Sequence, residues 1–179
     1  YYLAGTPFPL LGHNRQYAYG LTMFENDDMD LFLETNNPDN ENQYQTLEGF
    51  KSYQISEKII KVKDSSDVVL KIKKSHHGPL MNGLVDGLKE DKPISMWWTF
   101  LHHKNQILDA VYALSHAKDV ENFHQSIELI AAPGLNIMYG DAKGNIAWIT
   151  SGKLYKMPEQ VNANFILDGS NGKDEQKEY

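Results

Sequence analysis

The sequence contains no cysteine, and this absence excludes several kinds of chemistry at once. Thiol nucleophiles, thiolate zinc sites and disulfide frameworks all require cysteine. No apolar run approaches the ~20 residues that a membrane-spanning helix needs, and the chain does not open on a basic segment followed by an apolar one. The sequence therefore predicts no membrane partner.

Basic residues are also too few and too scattered to bind nucleic acid. The chain has 17 Lys and Arg among 24 Asp and Glu, for a net charge of −7. Proteins that bind nucleic acid usually concentrate Lys and Arg in a stripe or patch. We therefore expect no nucleic-acid partner.

The overall composition is that of an ordinary globular chain. With 179 residues and 41% hydrophobic content, it can bury one sizeable core. It begins on apolar residues, Tyr1 to Gly5, and stops on a charged run at 173–179. Residues 1–179 are therefore expected to form a single fragment of a longer domain.

The spacing of apolar residues predicts strands, then two helices, then another hairpin. The predicted strands cover 15–24, 51–64, 68–74, 135–140 and 145–150. The predicted helices cover 105–117 and the stretch from Asp119, a candidate N-cap, to Pro133-Gly134. Residues 36–45 and 81–92 are predicted loops because they are polar or rich in glycine. Grouped strands and helices of this kind indicate the α+β class.

An acidic cluster stands out near the start of the chain. Glu25, Asp27, Asp28 and Asp30 place four carboxylates within six residues. Such a cluster either binds a cation or forms a solvated turn, and the spacing alone leaves both open. Oxygen ligands of this kind suit Ca²⁺, although the pattern is not that of an EF-hand.

Four of the seven histidines occur as two adjacent pairs, His76-His77 and His102-His103. Adjacent residues in a strand point to opposite faces, so one pair could not easily supply two ligands to one metal ion. A zinc hydrolase would need facing ligands and an acidic third partner, and this alternative is disfavoured.

A self-contained hydrolytic triad is also disfavoured. Ser75, His77 and Asp86 are the residue types that such a triad uses. However, no G-x-S-x-G turn and no glycine-rich oxyanion loop frames any serine in the chain.

Several short motifs follow one another along most of the chain. They are Leu11-Gly12-His13-Asn14, Ala18-Tyr19-Gly20-Leu21-Thr22, the run 27–34, the run 57–63, His77-Gly78-Pro79, and the hairpin residues Asn136, Tyr139, Asp141 and Gly144-Asn145-Ile146. In this order and at these spacings they resemble the penicillin acylase (penicillin amidase) family, within the interior of its β chain. The resemblance fades after about Gly152.

The resemblance implies an αββα N-terminal-nucleophile fold with antiparallel sheets and a helical pair. It also implies a precursor that cuts itself to expose a serine, whose own α-amino group acts as the base in amide hydrolysis. That serine would precede Tyr1, so the fragment alone is expected to be inactive. The implied partners are the remainder of the same precursor, namely its α chain and the rest of its β chain, and a small N-acyl substrate. The implied location is periplasmic or extracellular.

The resemblance further implies roles for individual residues. Met23 would supply a backbone N–H to the oxyanion hole. Leu11, Phe24 and Leu135 would line the acyl pocket. A structural Ca²⁺ would bind the carboxylates of Asp27 and Asp30 and the carbonyl of Met29.

The substrate stays open at this point. Members of the family hydrolyse penicillin side chains, acyl-homoserine lactones and other N-acyl compounds. The alternative function is a non-catalytic, calcium-stabilised binding domain on the same scaffold.

Overall fold

A computed structural model of the chain describes residues 1–85, 88 and 92–178. Its strands, in chain order, are β1 (Gly12–His13), β2 (Tyr17–Met23), β3 (Met29–Leu33), β4 (Asn36–Asn37), β5 (Asn40–Thr46), β6 (Gly49–Ser52), β7 (Gln54–Ile60), β8 (Val68–Lys74), β9 (Ile94–Trp98), β10 (Leu135–Asp141), β11 (Ile146–Ser151), β12 (Tyr155–Lys156), β13 (Leu167–Asp168) and β14 (Lys177–Glu178). Its helices are α1 (Thr99–His102), α2 (Ile107–Ser115) and α3 (Val120–Ile127). Among these residues, no helix is long and apolar enough to cross a membrane.

The chain divides into two compact units. One is built mainly from Tyr1–Asp28 and His102–Tyr155, and the other from Met29–Leu101 and Lys156–Lys177. The first is called here the helical unit and the second the hairpin unit. That residues 1–179 form one fragment of a longer domain stays a prediction.

The helical unit contains a four-stranded antiparallel sheet in the order β1-β2-β10-β11. Aromatic side chains of β2 and β10 face the helix pair. Phe123 of α3 is fully buried, and its ring centroid lies 5.5 Å from that of Tyr19 and 4.8 Å from that of Tyr139. The Tyr17 hydroxyl donates a hydrogen bond of 2.7 Å to the Leu114 carbonyl of α2. Because each buried ring removes on the order of 150–250 Å² from water, these aromatic residues dominate the core of the unit.

The opposite face of the same sheet is exposed and partly apolar. Met138 of β10 lies between Gly20 of β2 and Trp148 of β11. Met138 is 54% exposed and Trp148 is 70% exposed. The large side chains of Met138 and Trp148 therefore project beside Gly20, which has no side chain, and leave a depression in the exposed face of the sheet.

The hairpin unit contains three small sheets. Their strand orders are β13-β3-β9, β4-β5-β6 and β7-β8. Phe32 of β3 and Ile94 of β9 are completely buried. The seven residues of β7 are all exposed, so this hairpin is held mainly by its backbone pairing with β8.

The predicted strand at 15–24, both predicted hairpins and the helical pair are confirmed. Asp119 is the N-cap of α3, and its carboxylate accepts a hydrogen bond of 2.8 Å from the Asn122 N–H. However, α3 ends at Ile127 rather than continuing to Pro133. The backbone carbonyls of Ile130 and Ala131 instead accept hydrogen bonds from the N–H groups of Gly152 and Lys153.

The prediction of a loop over 36–45 is wrong, because this polar stretch forms β4 and most of β5. Only Tyr44 and Thr46 of β5 are buried, so the strand lacks the apolar alternation that would reveal it. Pairing with β4 and β6 holds it in place. The predicted loop over 81–92 falls partly outside the described residues, and its described part contains no strand or helix.

Candidate functional site

The end of β2 brings together three of the residues to which the resemblance gives roles. Met23, the last residue of β2, lies opposite Leu135, the first residue of β10. The next N–H, that of Phe24, donates a hydrogen bond of 3.0 Å to the Gly134 carbonyl. Since successive N–H groups of a strand point to opposite sides, the Met23 N–H points away from β10. The Met23 N–H therefore takes no part in the hydrogen bonds between β2 and β10.

Two side chains on β10 and β11 fix the peptide group that follows Met23. The Asn136 side-chain amide donates a hydrogen bond of 3.0 Å to the Met23 carbonyl. The Trp148 indole N–H in turn donates one of 3.0 Å to the Asn136 Oδ1. Neither residue had a predicted role, although Asn136 belongs to one of the motifs that resemble the family. The Asn136 amide is held at both ends and has little rotational freedom, so the orientation of the Met23–Phe24 peptide group is well determined.

The segment after β2 is anchored by Asn26. Its side-chain amide donates a hydrogen bond of 3.2 Å to the Lys153 carbonyl, and its Oδ1 lies against the backbone of Gly134. A Cβ atom at Gly134 would lie 1.8 Å from that Oδ1 and 2.6 Å from the Phe24 carbonyl. Only glycine permits this close approach. The sequence suggested Gly134 solely as a helix stop, and it missed Asn26.

Leu11 lies apart from this group. Gly12 lies opposite Tyr19, so Leu11 is placed beside the middle of β2, whereas Met23 ends that strand. Leu11 and Phe24 are half-buried, and Leu135 is buried. The structure therefore brings Met23, Phe24 and Leu135 together at the end of β2, while Leu11 borders the same sheet further along.

The residues predicted to bind calcium differ in exposure. Asp27 and Met29 are exposed, whereas Asp30 of β3 is buried. Burial and the charge of Asp27 raise the pKa of the neighbouring Asp28 carboxyl. Oxygen donors of this kind, two carboxylates and a main-chain carbonyl, match the preference of Ca²⁺.

The first histidine pair does not lie in a strand, so the prediction that its two side chains point to opposite faces is wrong. His76 and His77 lie in a bend after β8, and their ring centroids are 3.8 Å apart. The bend depends on Gly78, which has a φ of +145°. A Cβ atom there would lie 2.0 Å from the Met96 carbonyl oxygen, so the H-G-P turn needs glycine.

A buried carboxylate orients His77. Glu34 is fully buried, and its Oε1 lies 2.9 Å from His77 Nδ1 and accepts a hydrogen bond of 2.7 Å from the Ser95 hydroxyl. Burial acts to raise the pKa of Glu34, but hydrogen bonds from His77, Ser75 and Ser95 outweigh it and hold the pKa below its ordinary value. An ionised carboxylate only accepts hydrogen bonds, so the Nδ1 of His77 carries the proton.

This arrangement differs from the triad considered from the sequence. His77 pairs with Glu34, and Ser75 accepts a hydrogen bond of 3.1 Å from the His77 backbone N–H. Asp86, the third member of the considered triad, lies outside the described residues. Ser75 therefore supports the bend, as an acceptor for the His77 N–H and a donor to Glu34.

Proteins that resemble this chain in sequence or in fold are named as acylases. The chain is 27% identical over 160 residues to the acyl-homoserine lactone acylase QuiP of Pseudomonas aeruginosa. It is 29% identical over 159 residues to the protein of the same name from Pseudomonas fluorescens strain Pf0-1. These matches cover 84% of this chain but 19% and 18% of the two relatives, so the chain spans about a fifth of their length.

The fold is similar to that of a thermostable penicillin G acylase from Alcaligenes faecalis, with a TM-score of 0.84 and 23% sequence identity. The match covers 97% of this chain and 30% of that one, and it confirms the predicted fold class. The family model for penicillin amidase matches residues 1–179, and the chain therefore belongs to the penicillin amidase family.

Proposed function

We propose that the protein containing this chain is an amide hydrolase that removes the acyl group from a small N-acyl compound. In this proposal an N-terminal serine, located ahead of Tyr1, attacks the acyl carbonyl, and its own α-amino group takes up the hydroxyl proton. The amide C–N bond then breaks, the departing amine receives that proton, and water hydrolyses the acyl-serine ester to release the acid. An α-amino group has a pKa of ~7.7–8.0, so near neutral pH part of it is in the basic form. These 179 residues alone would then be inactive.

The observation that carries the proposal is the geometry at the end of β2. The Met23 N–H points away from β10, and the Asn136 amide holds the adjoining carbonyl at 3.0 Å. A preorganised backbone N–H of this kind can stabilise the negative charge that develops on an acyl oxygen. Half-buried Phe24 supplies apolar surface beside it, which suits the hydrocarbon part of an acyl group, whereas Leu135 lies in the buried core behind the strand.

Two substrate classes fit this proposal. The curated relatives are named as acyl-homoserine lactone acylases, and the similar structure is a penicillin G acylase. Both names describe removal of an acyl group from an amide. We propose N-acyl-homoserine lactones as the first class to test, because the relatives that bear this name match 84% of the chain.

Calcium binding is the second part of the proposal. Asp27 and Asp30 would supply carboxylates and Met29 its main-chain carbonyl, with further ligands from the rest of the protein. The ion would neutralise a stretch in which Asp28 already carries a raised pKa. The remainder of the precursor is the proposed partner, and the proposed location is periplasmic or extracellular.

The test uses the product of the complete gene. N-terminal sequencing and mass determination of the purified protein show whether it is cut to expose a serine. Release of homoserine lactone from an N-acyl-homoserine lactone, and of phenylacetate from a phenylacetylated amide, is then measured before and after changing that serine to alanine.

We expect a processed chain that begins with serine and an activity that the alanine change abolishes. An uncleaved protein without activity on either compound would contradict the proposal and would favour the calcium-stabilised binding domain. Cell fractionation of the native host, with a cytoplasmic enzyme as the control, tests the proposed location.

A further inference from the structure

Three potential metal-ligating atoms converge in the hairpin unit. The Nε2 atoms of His76 and His77 lie 3.2 Å and 3.6 Å from the Glu175 Oε1. One ligand atom from each residue lies within 4.8 Å of the other two. In a tetrahedral zinc site with bonds of 2.0–2.1 Å, neighbouring ligand atoms are roughly 3.3 Å apart. The two measured distances to Glu175 therefore already approach those of a zinc site.

Each imidazole is also held in the orientation that coordination through Nε2 requires. The Nδ1–H of His77 donates a hydrogen bond to buried Glu34. The Nδ1 of His76 lies 3.3 Å from the Tyr44 hydroxyl oxygen, which can accept a hydrogen bond from it. Histidine ligands in metal sites usually donate the other ring N–H to a carboxylate or a similar acceptor, which fixes both the tautomer and the ring orientation.

Stacking restrains the same rings. The His77 ring lies parallel to that of Phe32, with an interplanar angle of 2° and 3.9 Å between ring centroids. The His76 ring stacks on Tyr44 at 5.6 Å. The His77 side chain is buried, whereas those of His76 and Glu175 are 35% and 43% exposed. An ion could therefore reach the ligands from solvent without the buried part of the site having to open.

We propose that His76, His77 and Glu175 form a binding site for a transition-metal ion of intermediate softness, with Zn²⁺ as the first candidate. Water would be the fourth ligand. Two imidazoles and a carboxylate are a ligand set that Zn²⁺ accepts, and they leave one position open. The ion would join the bend after β8 to a residue 99 positions further along the chain. This site is independent of the amide hydrolysis proposed above, because none of its ligands belongs to the end of β2.

The experiment uses the full-length protein, freed of metal with a chelating resin and then supplied with excess Ca²⁺ to fill sites made of oxygen ligands. Zn²⁺ is titrated by calorimetry, and Co²⁺ is used as a spectroscopic substitute because its visible absorption is intense when it has four ligands. The variants are His76→Ala and Glu175→Gln, both at partly exposed side chains. His124→Ala, at an exposed histidine of α3, is the matched control.

We expect the wild type and His124→Ala to bind Zn²⁺ equally and to give the four-coordinate Co²⁺ spectrum. His76→Ala and Glu175→Gln should weaken Zn²⁺ binding at least tenfold and abolish that spectrum. Glu34→Gln, which leaves all three ligands in place, should weaken it roughly 10–100-fold. Equal binding by the wild type, His76→Ala and Glu175→Gln would overturn the proposal, as would a wild type that shows no four-coordinate spectrum.

Discussion

The side chain of Asn26 lies against the backbone of Gly134 so closely that a methyl group at Gly134 would come within 1.8 Å of the Asn26 Oδ1. The same methyl group would also lie 2.6 Å from the Phe24 carbonyl oxygen. These contacts hold the segment that leaves β2, on which Asp27 lies.

Gly134→Ala should therefore displace the segment after β2. We expect the free energy of unfolding to fall by about 1–3 kcal/mol, the usual cost of adding atoms to a well-packed site. Urea denaturation of the full-length protein measures it. Gly140→Ala is the control, because a Cβ atom there would meet only the Asn145 carbonyl, at 4.0 Å. Equal stability of the two variants would contradict the expected strain.

Glu34→Gln should destabilise the protein in a pH-dependent manner. The hydrogen bonds to this carboxylate hold its pKa below the ordinary value, so the folded state favours the ionised form. The stability that the ionised carboxylate contributes is complete above the ordinary pKa of about 4.3. It is lost as the pH falls through the lower pKa that Glu34 has in the folded state. At pH 7 the expected loss is about 1.5–3 kcal/mol, typical of hydrogen bonds to charged groups.

The measurement is a series of denaturation curves from neutral pH to below the ordinary Glu pKa. The difference between the wild type and Glu34→Gln should shrink as the pH falls. Glu57→Gln is the control, because Glu57 forms an exposed ion pair with Lys71 at 3.5 Å, and such a pair is worth about 0–1 kcal/mol. A difference that stays constant over the whole range would show that the Glu34 charge has no such role.

Met23→Pro tests the proposed oxyanion donor, because proline has no backbone N–H. The preceding residue, Thr22, is already in a strand, the conformation that a following proline favours. We expect kcat for amide hydrolysis to fall roughly 10²–10³-fold, the usual effect of removing one oxyanion donor.

Met23→Ala keeps the N–H and should change kcat less than about tenfold. Thermal unfolding of both variants establishes that they are folded. Full activity in a folded Met23→Pro protein would remove Met23 from the proposed oxyanion hole.

Removal of calcium should lower the thermal unfolding midpoint of the full-length protein, because an ion that binds only the folded state stabilises it. Asp27→Asn and Asp30→Asn should weaken calcium binding, since each removes a carboxylate charge. Asp39→Asn, at an exposed acidic residue in the turn between β4 and β5, should leave the affinity unchanged. A chelator that does not shift the midpoint would contradict the proposed calcium site.

Much of the fold could be predicted wherever apolar residues follow a clear period. The alternation of Tyr17 and Tyr19 with small or polar residues indicated β2, and the aspartate at position 119 marked the start of α3. The polar strand β5 carried no such signal, because backbone pairing rather than burial of apolar side chains defines most of it. The end of α3 was missed because the carbonyls of Ile130 and Ala131, just beyond the helix, accept hydrogen bonds from residues more than 20 positions away.

The candidate site was predictable only in part. The motif order included Glu34 and the H-G-P turn, but nothing in the sequence shows that they meet, since their hydrogen bond joins residues 43 positions apart. No sequence pattern identifies Asn26, because its role depends on the close approach of the Gly134 backbone. The prediction about the histidine pair failed because it assumed a strand where Gly78 imposes a bend.

The indole of Trp148 gives the proposed active site a built-in optical probe. The ring is largely exposed, yet its N–H is tied through Asn136 to the Met23 carbonyl. We therefore expect its fluorescence to respond both to solvent at the outer face of the sheet and to the peptide group beside the proposed oxyanion donor. Subtracting the emission of Trp148→Phe from that of the wild type leaves the contribution of this one indole, and we expect that difference to change when a substrate occupies the site.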